Sequence, residues 1–137
     1  MSDIPARLRR LVVSRAGDRC EYCRLAQKGQ EATFHIDHIL PKVAGGPTAA
    51  ANLALACVSC SLRKEARRSA IEPNTNRRVA VFHPRRQGWR DHFRWEGFRI
   101  VGLTPTGRAT VAALQMNRPL ILAIRQEEAA RGWASEP

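Results

Sequence analysis

Four short runs lie between residues 20 and 64: Cys20-Glu21-Tyr22-Cys23, then Phe34-His35-Ile36-Asp37-His38-Ile39, then Pro47-Thr48-Ala49-Ala50-Ala51-Asn52-Leu53, then Cys57-Val58-Ser59-Cys60. Two C-x2-C pairs stand 33 residues apart. Two intervening residues let the backbone turn so that both sulfurs of a pair face one ion, and two such pairs make the four-sulfur set that zinc prefers. Four unrelated buried thiols would not show the doubled spacing, and a redox dithiol would need only one pair. Cys20, Cys23, Cys57 and Cys60 are therefore read as ligands of a structural Zn2+. A closed four-sulfur site has no open position, so that ion is expected to hold the fold and do no chemistry.

At 137 residues the chain has the length of one domain, with residues 19–68 as its core and residues 69–137 as an extension packed on it. Lys and Arg total 23 against 12 acidic residues, a net charge of +11. That imbalance favours a polyanionic partner, nucleic acid before anionic membrane. No apolar run approaches the roughly 18 residues of a membrane-spanning helix. The first residues, Met1-Ser2-Asp3-Ile4-Pro5, lack the pattern of a secretion signal. The cysteines are accordingly expected reduced, in a cytoplasmic protein.

The pattern predicts an α+β chain. Residues 4–18 carry Leu8, Leu11 and Val12 at helical spacing, and Gly17 can end the helix. Residues 34–40 read as a strand stopped by Pro41, with His35 and Asp37 on one face. Gly45-Gly46-Pro47 is a turn, and residues 61–68 read as a helix carrying Arg63, Lys64, Arg67 and Arg68. Beyond it, residues 71–76 read as a turn-rich connection, 78–83 as a strand, 89–95 as a short helix and 98–103 as a strand completing one small second hairpin. Helices follow over 106–116 and 120–130, and residues 134–137 read as a frayed end.

An aspartate at the end of an apolar strand needs a partner, and a divalent cation is one way to supply it. The adjacent His38, in its neutral form, can take a proton from water near pH 7. Asn52 could fix the loop that carries His38 through an amide-to-backbone hydrogen bond. An isolated Asp-His pair is more often a surface turn; between two zinc knuckles that reading loses ground.

The order Cys20-x2-Cys23, Asp37-His38-Ile39-x-Pro41, Gly45-Gly46, Asn52-Leu53, Cys57-x2-Cys60 and Lys64 resembles the HNH endonuclease family. Phe82-His83-Pro84-Arg85, Trp89-x2-His92-Phe93-x-Trp95 and Gly102-Leu103-Thr104-Pro105-x-Gly107-Arg108-Ala109-Thr110-Val111 are similar to the tail of a bacterial subgroup of it. The resemblance implies a ββα-metal fold braced by zinc and metal-dependent hydrolysis of DNA phosphodiesters with Mg2+ or Mn2+. It implies His38 as general base, Asn52 as the residue orienting its loop, and Asp37 as a catalytic-ion ligand. The family places an Asn or His where this chain has Ser61, so Ser61, or His35 from the face of Asp37, is expected to complete the ligand set. Lys42, Arg63, Lys64, Arg67 and Arg68 are expected to meet nucleic-acid phosphates. The alternative is a zinc-dependent nucleic-acid-binding module with weakened or no cleavage.

Overall fold

The computed structural model describes residues 4–133; residues 134–137, expected to be frayed, lie outside them. Helix α1 (Ala6–Arg15) starts behind Pro5 and ends where Gly17 takes a φ of 64°. It buries Val12, and the Arg15 guanidinium holds it to the central unit by donating to Ala50 O (3.0 Å) and Leu53 O (2.7 Å). The first knuckle follows, and then strand β1 (His35–His38) pairs antiparallel with β2 (Leu53–Ala56), from His35 opposite Ala56 to His38 opposite Leu53. The 14 residues between the strands form a folded loop rather than a tight turn. Gly46 lies so close under it that a Cβ would come within 1.7 Å of Leu40 O, so no other residue fits there.

Helix α2 (Val58–Lys64) is the third part of the ββα unit, and it is displaced from the expected span of 61–68. The knuckle sets its start: Cys57 caps it, with Sγ accepting from Cys60 N at 3.4 Å. Glu65, at a φ of 46°, ends it. Arg67 and Arg68 therefore lie beyond the helix on which they were expected.

Two further hairpins, not one, follow among the described residues. Strand β3 (Ser69–Ile71) pairs with β4 (Arg78–Ala80), so part of the expected connection is a strand. Residues 89–95 divide into a single helical turn, α3 (Trp89–His92), and strand β5 (Phe93–Glu96), which pairs with β6 (Arg99–Gly102). The aromatic residues at 93 and 95 alternate toward the interior with period two, and Gly97 at a φ of 61° makes the turn; the helical reading missed that period. Helices α4 (Pro105–Ala113) and α5 (Pro119–Ala130) each open on a proline that suits a first helical position. Thr104 Oγ1 caps α4 by accepting from Gly107 N at 3.0 Å.

One apolar cluster joins both halves: Val12, Tyr22, Leu53 and Leu55 pack with Phe82, Phe93, Ile100, Leu114, Met116 and Ile121. The extension also grips the first knuckle by polar contacts. Trp89 Nε1 donates to Tyr22 O (2.9 Å), Arg125 donates to Cys23 O (3.2 Å), and Ala26 N donates to Glu128 Oε2 (2.9 Å). Among the described residues no helix is long and apolar enough to cross a membrane.

Candidate metal centre and active site

The four cysteines come together. Each is buried, and their sulfurs all lie within 4.8 Å of one another. Cys23 Sγ and Cys57 Sγ are 3.7 Å apart, close to the roughly 3.8 Å edge of a tetrahedron with zinc–sulfur bonds of about 2.3 Å. Backbone amides of both knuckles aim at the sulfurs, Cys23 N at Cys20 Sγ and Cys60 N at Cys57 Sγ, each at 3.4 Å. None of the four is in a disulfide. Without a cation the thiols oppose one another's ionisation: hydrogen bonds from Cys20, Cys23 and Cys60 lower Cys57, while Cys23 and Cys60 are pushed up. A dication would relieve that opposition for all four, so the donor set fits Zn2+.

The other site residues gather on the same unit, one strand face away. The alternation of β1 turns His35 and Asp37 toward α2, where His35 Nδ1 lies 2.8 Å from Ser61 Oγ. Asp37, His38, His35 and Ser61 line one open cleft of about 440 Å³, to which α1 contributes Arg9. His38 Nε2 lies 2.9 Å from Thr48 Oγ1. Among the described residues its Nδ1 carries no hydrogen bond. Burial, with help from Lys42 and Lys64, holds the His38 imidazole below its ordinary value against a smaller upward pull from Asp37. The ring is thus neutral at pH 7. Asn52 is buried and its amide is fully used on the loop: Oδ1 accepts from Leu40 N (2.8 Å), and Nδ2 donates to Leu40 O (3.0 Å) and Pro47 O (2.9 Å).

Asp37 is more enclosed than the sequence reading allowed. Its Oδ2 accepts from the Tyr22 hydroxyl at 2.9 Å and lies 3.1 Å from Lys64 Nζ. Burial pushes the Asp37 carboxyl up, and Lys64, Tyr22 and His38 pull against it. Burial and Asp37 also push the Tyr22 phenol far above its usual range, which keeps it a donor. Lys64 therefore does not belong with the phosphate contacts: it is only 2 % exposed, and its ammonium also donates to Ile39 O at 3.2 Å. Its charge is engaged within the fold, on a buried carboxylate and a carbonyl. Arg63 is turned to another face, with Nε on Ser59 Oγ at 3.1 Å, whereas Arg67, Arg68 and Lys42 are exposed.

Tyr22, Thr48 and Arg9 were not read as site residues. A buried phenol must find an acceptor, which was the available signal for Tyr22; nothing local marks Thr48 or Arg9. Histidine, cysteine and carboxylate ligand atoms converge among the described residues only at the cysteines. The donors that line the cleft are thus one carboxylate, Asp37, and the neutral side chains of Ser61 and His35. Asp37 Oδ1 has Lys64 Nζ at 3.5 Å as its contact, longer than that at Oδ2. The Asp37 and Ser61 oxygens are of the kind Mg2+ accepts beside waters and substrate phosphates, whereas the His35 nitrogen is not.

Residues 20–67 match the family model described as HNH endonuclease. No curated protein and no solved structure matches the chain.

Proposed function

We propose, from the premise that residues 20–67 are an HNH domain, that this protein is a metal-dependent endonuclease hydrolysing phosphodiester bonds in DNA. The observation that carries the reading is the state of His38: a neutral imidazole, tied at Nε2 to Thr48 and with no hydrogen bond at Nδ1 among the described residues, on the cleft that Asp37 also lines. If Nε2 donates to Thr48, Nδ1 is the atom that accepts the proton of the attacking water. Asn52 is the positioning residue: it ties Leu40 and Pro47 together and so fixes the loop on which Thr48 meets His38. Asp37, with Ser61 or His35, would hold the divalent ion. When bound, that ion supplies stabilisation of charge on the phosphate and the leaving oxygen. Arg9 lines the same cleft.

Nicking of supercoiled plasmid in Mg2+ or Mn2+ tests this. Wild type should cleave, and His38→Ala should cleave about 10²- to 10⁴-fold more slowly, the usual worth of a general base. Wild-type and mutant chains that bind DNA and are equally inert would overturn the enzyme and leave a zinc-dependent binding module. The exchange of a hydroxyl for an imidazole or amide at Ser61 is what favours that second reading.

A further inference from the structure

A second cleft, of about 600 Å³, lies between the ββα unit and the extension, and nothing so far gives it a task. One wall is the loop after His38; the other is the segment that leaves β4. Arg67, Arg68 and Arg86 stand at it, and all three are exposed. Among the described residues none of these guanidiniums has a hydrogen-bonding or ionic partner, unlike Arg15, Arg85, Arg108 and Arg125, which are all engaged within the chain. No Asp or Glu lines the cleft. Three unpaired cations with no carboxylate between them repel one another, and an anion is what would relieve them.

Two neutral side chains are fixed there as donors. His83 Nδ1 accepts from both Arg85 N and Arg86 N, each at 3.2 Å, so its ring proton sits on Nε2. Burial and the nearby Arg86 hold the His83 imidazole below its ordinary value, so it is a neutral donor at pH 7. Gln87 Oε1 accepts from His83 N at 2.9 Å, which leaves its NH2 group to donate. Leu40, Pro47, Val81 and Phe82 supply an apolar floor, beside Asn52 and Lys64, whose polar groups are engaged within the chain. Cationic edges, donor groups and an apolar floor match an unpaired nucleic-acid strand, with phosphates at the arginines and sugars or bases against the floor. The cleft has the volume of a small-ligand site and is far too small for a duplex.

We infer that this cleft binds the phosphodiester backbone of a single strand next to the bond being cut, with Arg67, Arg68 and Arg86 on phosphates and His83 as a neutral donor. The inference rests on the nuclease reading for its context: Ile39 and Leu40, the residues directly after His38, line the cleft.

Binding of a labelled single-stranded oligonucleotide to the zinc-loaded His38→Ala chain, without Mg2+ or Mn2+ and across a salt series, tests it without any cleavage. Arg67→Ala/Arg68→Ala/Arg86→Ala should lower the slope of log K against log salt by about 2, from roughly 0.7 per phosphate on a single strand. Arg94→Ala/Arg99→Ala/Arg131→Ala, an equal loss of charge from exposed positions elsewhere, should leave that slope unchanged. His83→Asn, whose amide oxygen can still accept from the turn, should weaken binding about tenfold at constant slope. Equal slopes for the two triple variants, or a loss confined to fully paired duplex, would overturn the cleft as a strand site. An inert wild type in the plasmid assay would overturn the nuclease and not this result, because the two are read separately.

Discussion

The ββα unit carries two clusters of chemistry-bearing side chains on opposite terms. The cysteine cage is buried, has four donors within 4.8 Å of one another, and involves both chain ends of the unit. The His38 cleft is open, offers one carboxylate that is already shared with Lys64 and Tyr22, and draws on neutral atoms for the rest. A centre that holds a fold is saturated by protein. A centre that works on a substrate must leave room for water and phosphate, and its protein donors alone bind weakly.

The largest effect should come from the closed centre. Cys57→Ser removes one thiolate of the four-sulfur set while leaving a hydroxyl that can still cap α2, and structural zinc in small domains is worth on the order of 10 kcal/mol at pH 7. The variant should lose its cooperative thermal transition and its one zinc per chain, by circular dichroism and metal analysis. A variant that keeps both would erase the distinction between the centres.

Lys64→Met examines the cation buried inside the open centre. Stranding the Asp37 carboxylate should cost about 3–5 kcal/mol in denaturant unfolding, and Asp37→Leu/Lys64→Met should recover much of that loss. Equal losses in single and double variants would mean that Lys64 acts by packing its stem and not by pairing.

Ser61→Asn restores an amide oxygen at the position where the resemblance expects one. The Mg2+ concentration giving half-maximal cleavage should fall about tenfold, the low end of what one supporting group is worth at a metal site. No change would mean that Ser61 stands outside the ion's reach, held on His35.

The smallest effect is on pH. Because the His38 pKa is lowered, its neutral form persists below the ordinary imidazole value of about 6.5. As pH falls, cleavage should hold through 6.5 and decline only below it; as pH rises above 6.5 it should gain nothing from this group. An acid limb centred at or above 6.5 in the pH–rate profile would remove His38, as placed here, from the role of base.

The same contrast separates what could be read residue by residue from what could not. The spacing of Cys20, Cys23, Cys57 and Cys60 told that four sulfurs converge, and strand alternation put His35 and Asp37 on one face, because both are properties of local backbone geometry. The hydrogen bonds of Asn52 to its loop were legible for a similar reason, since Asn52 ends the loop it ties. The start of α2 was misjudged because a sulfur cap, and not helix propensity, decides it. Strand β5 was hidden in an aromatic run, Trp89 to Trp95, that satisfies helical and strand periods alike until its partner β6 is placed beside it.

The sequence by itself determined the four-cysteine set, the α+β class, the match of residues 20–67 to the HNH model and the excess of positive charge, since each depends on residue type and short spacing. Only the tertiary structure decided which charges are spent and which are free. Lys64 lies under Asp37, Arg63 turns away, and Arg67 and Arg68 meet Arg86 across a cleft built from segments that are far apart in the chain. Whether a cation is paired depends on what the fold brings within a few ångströms of it, and no spacing along the chain records that distance.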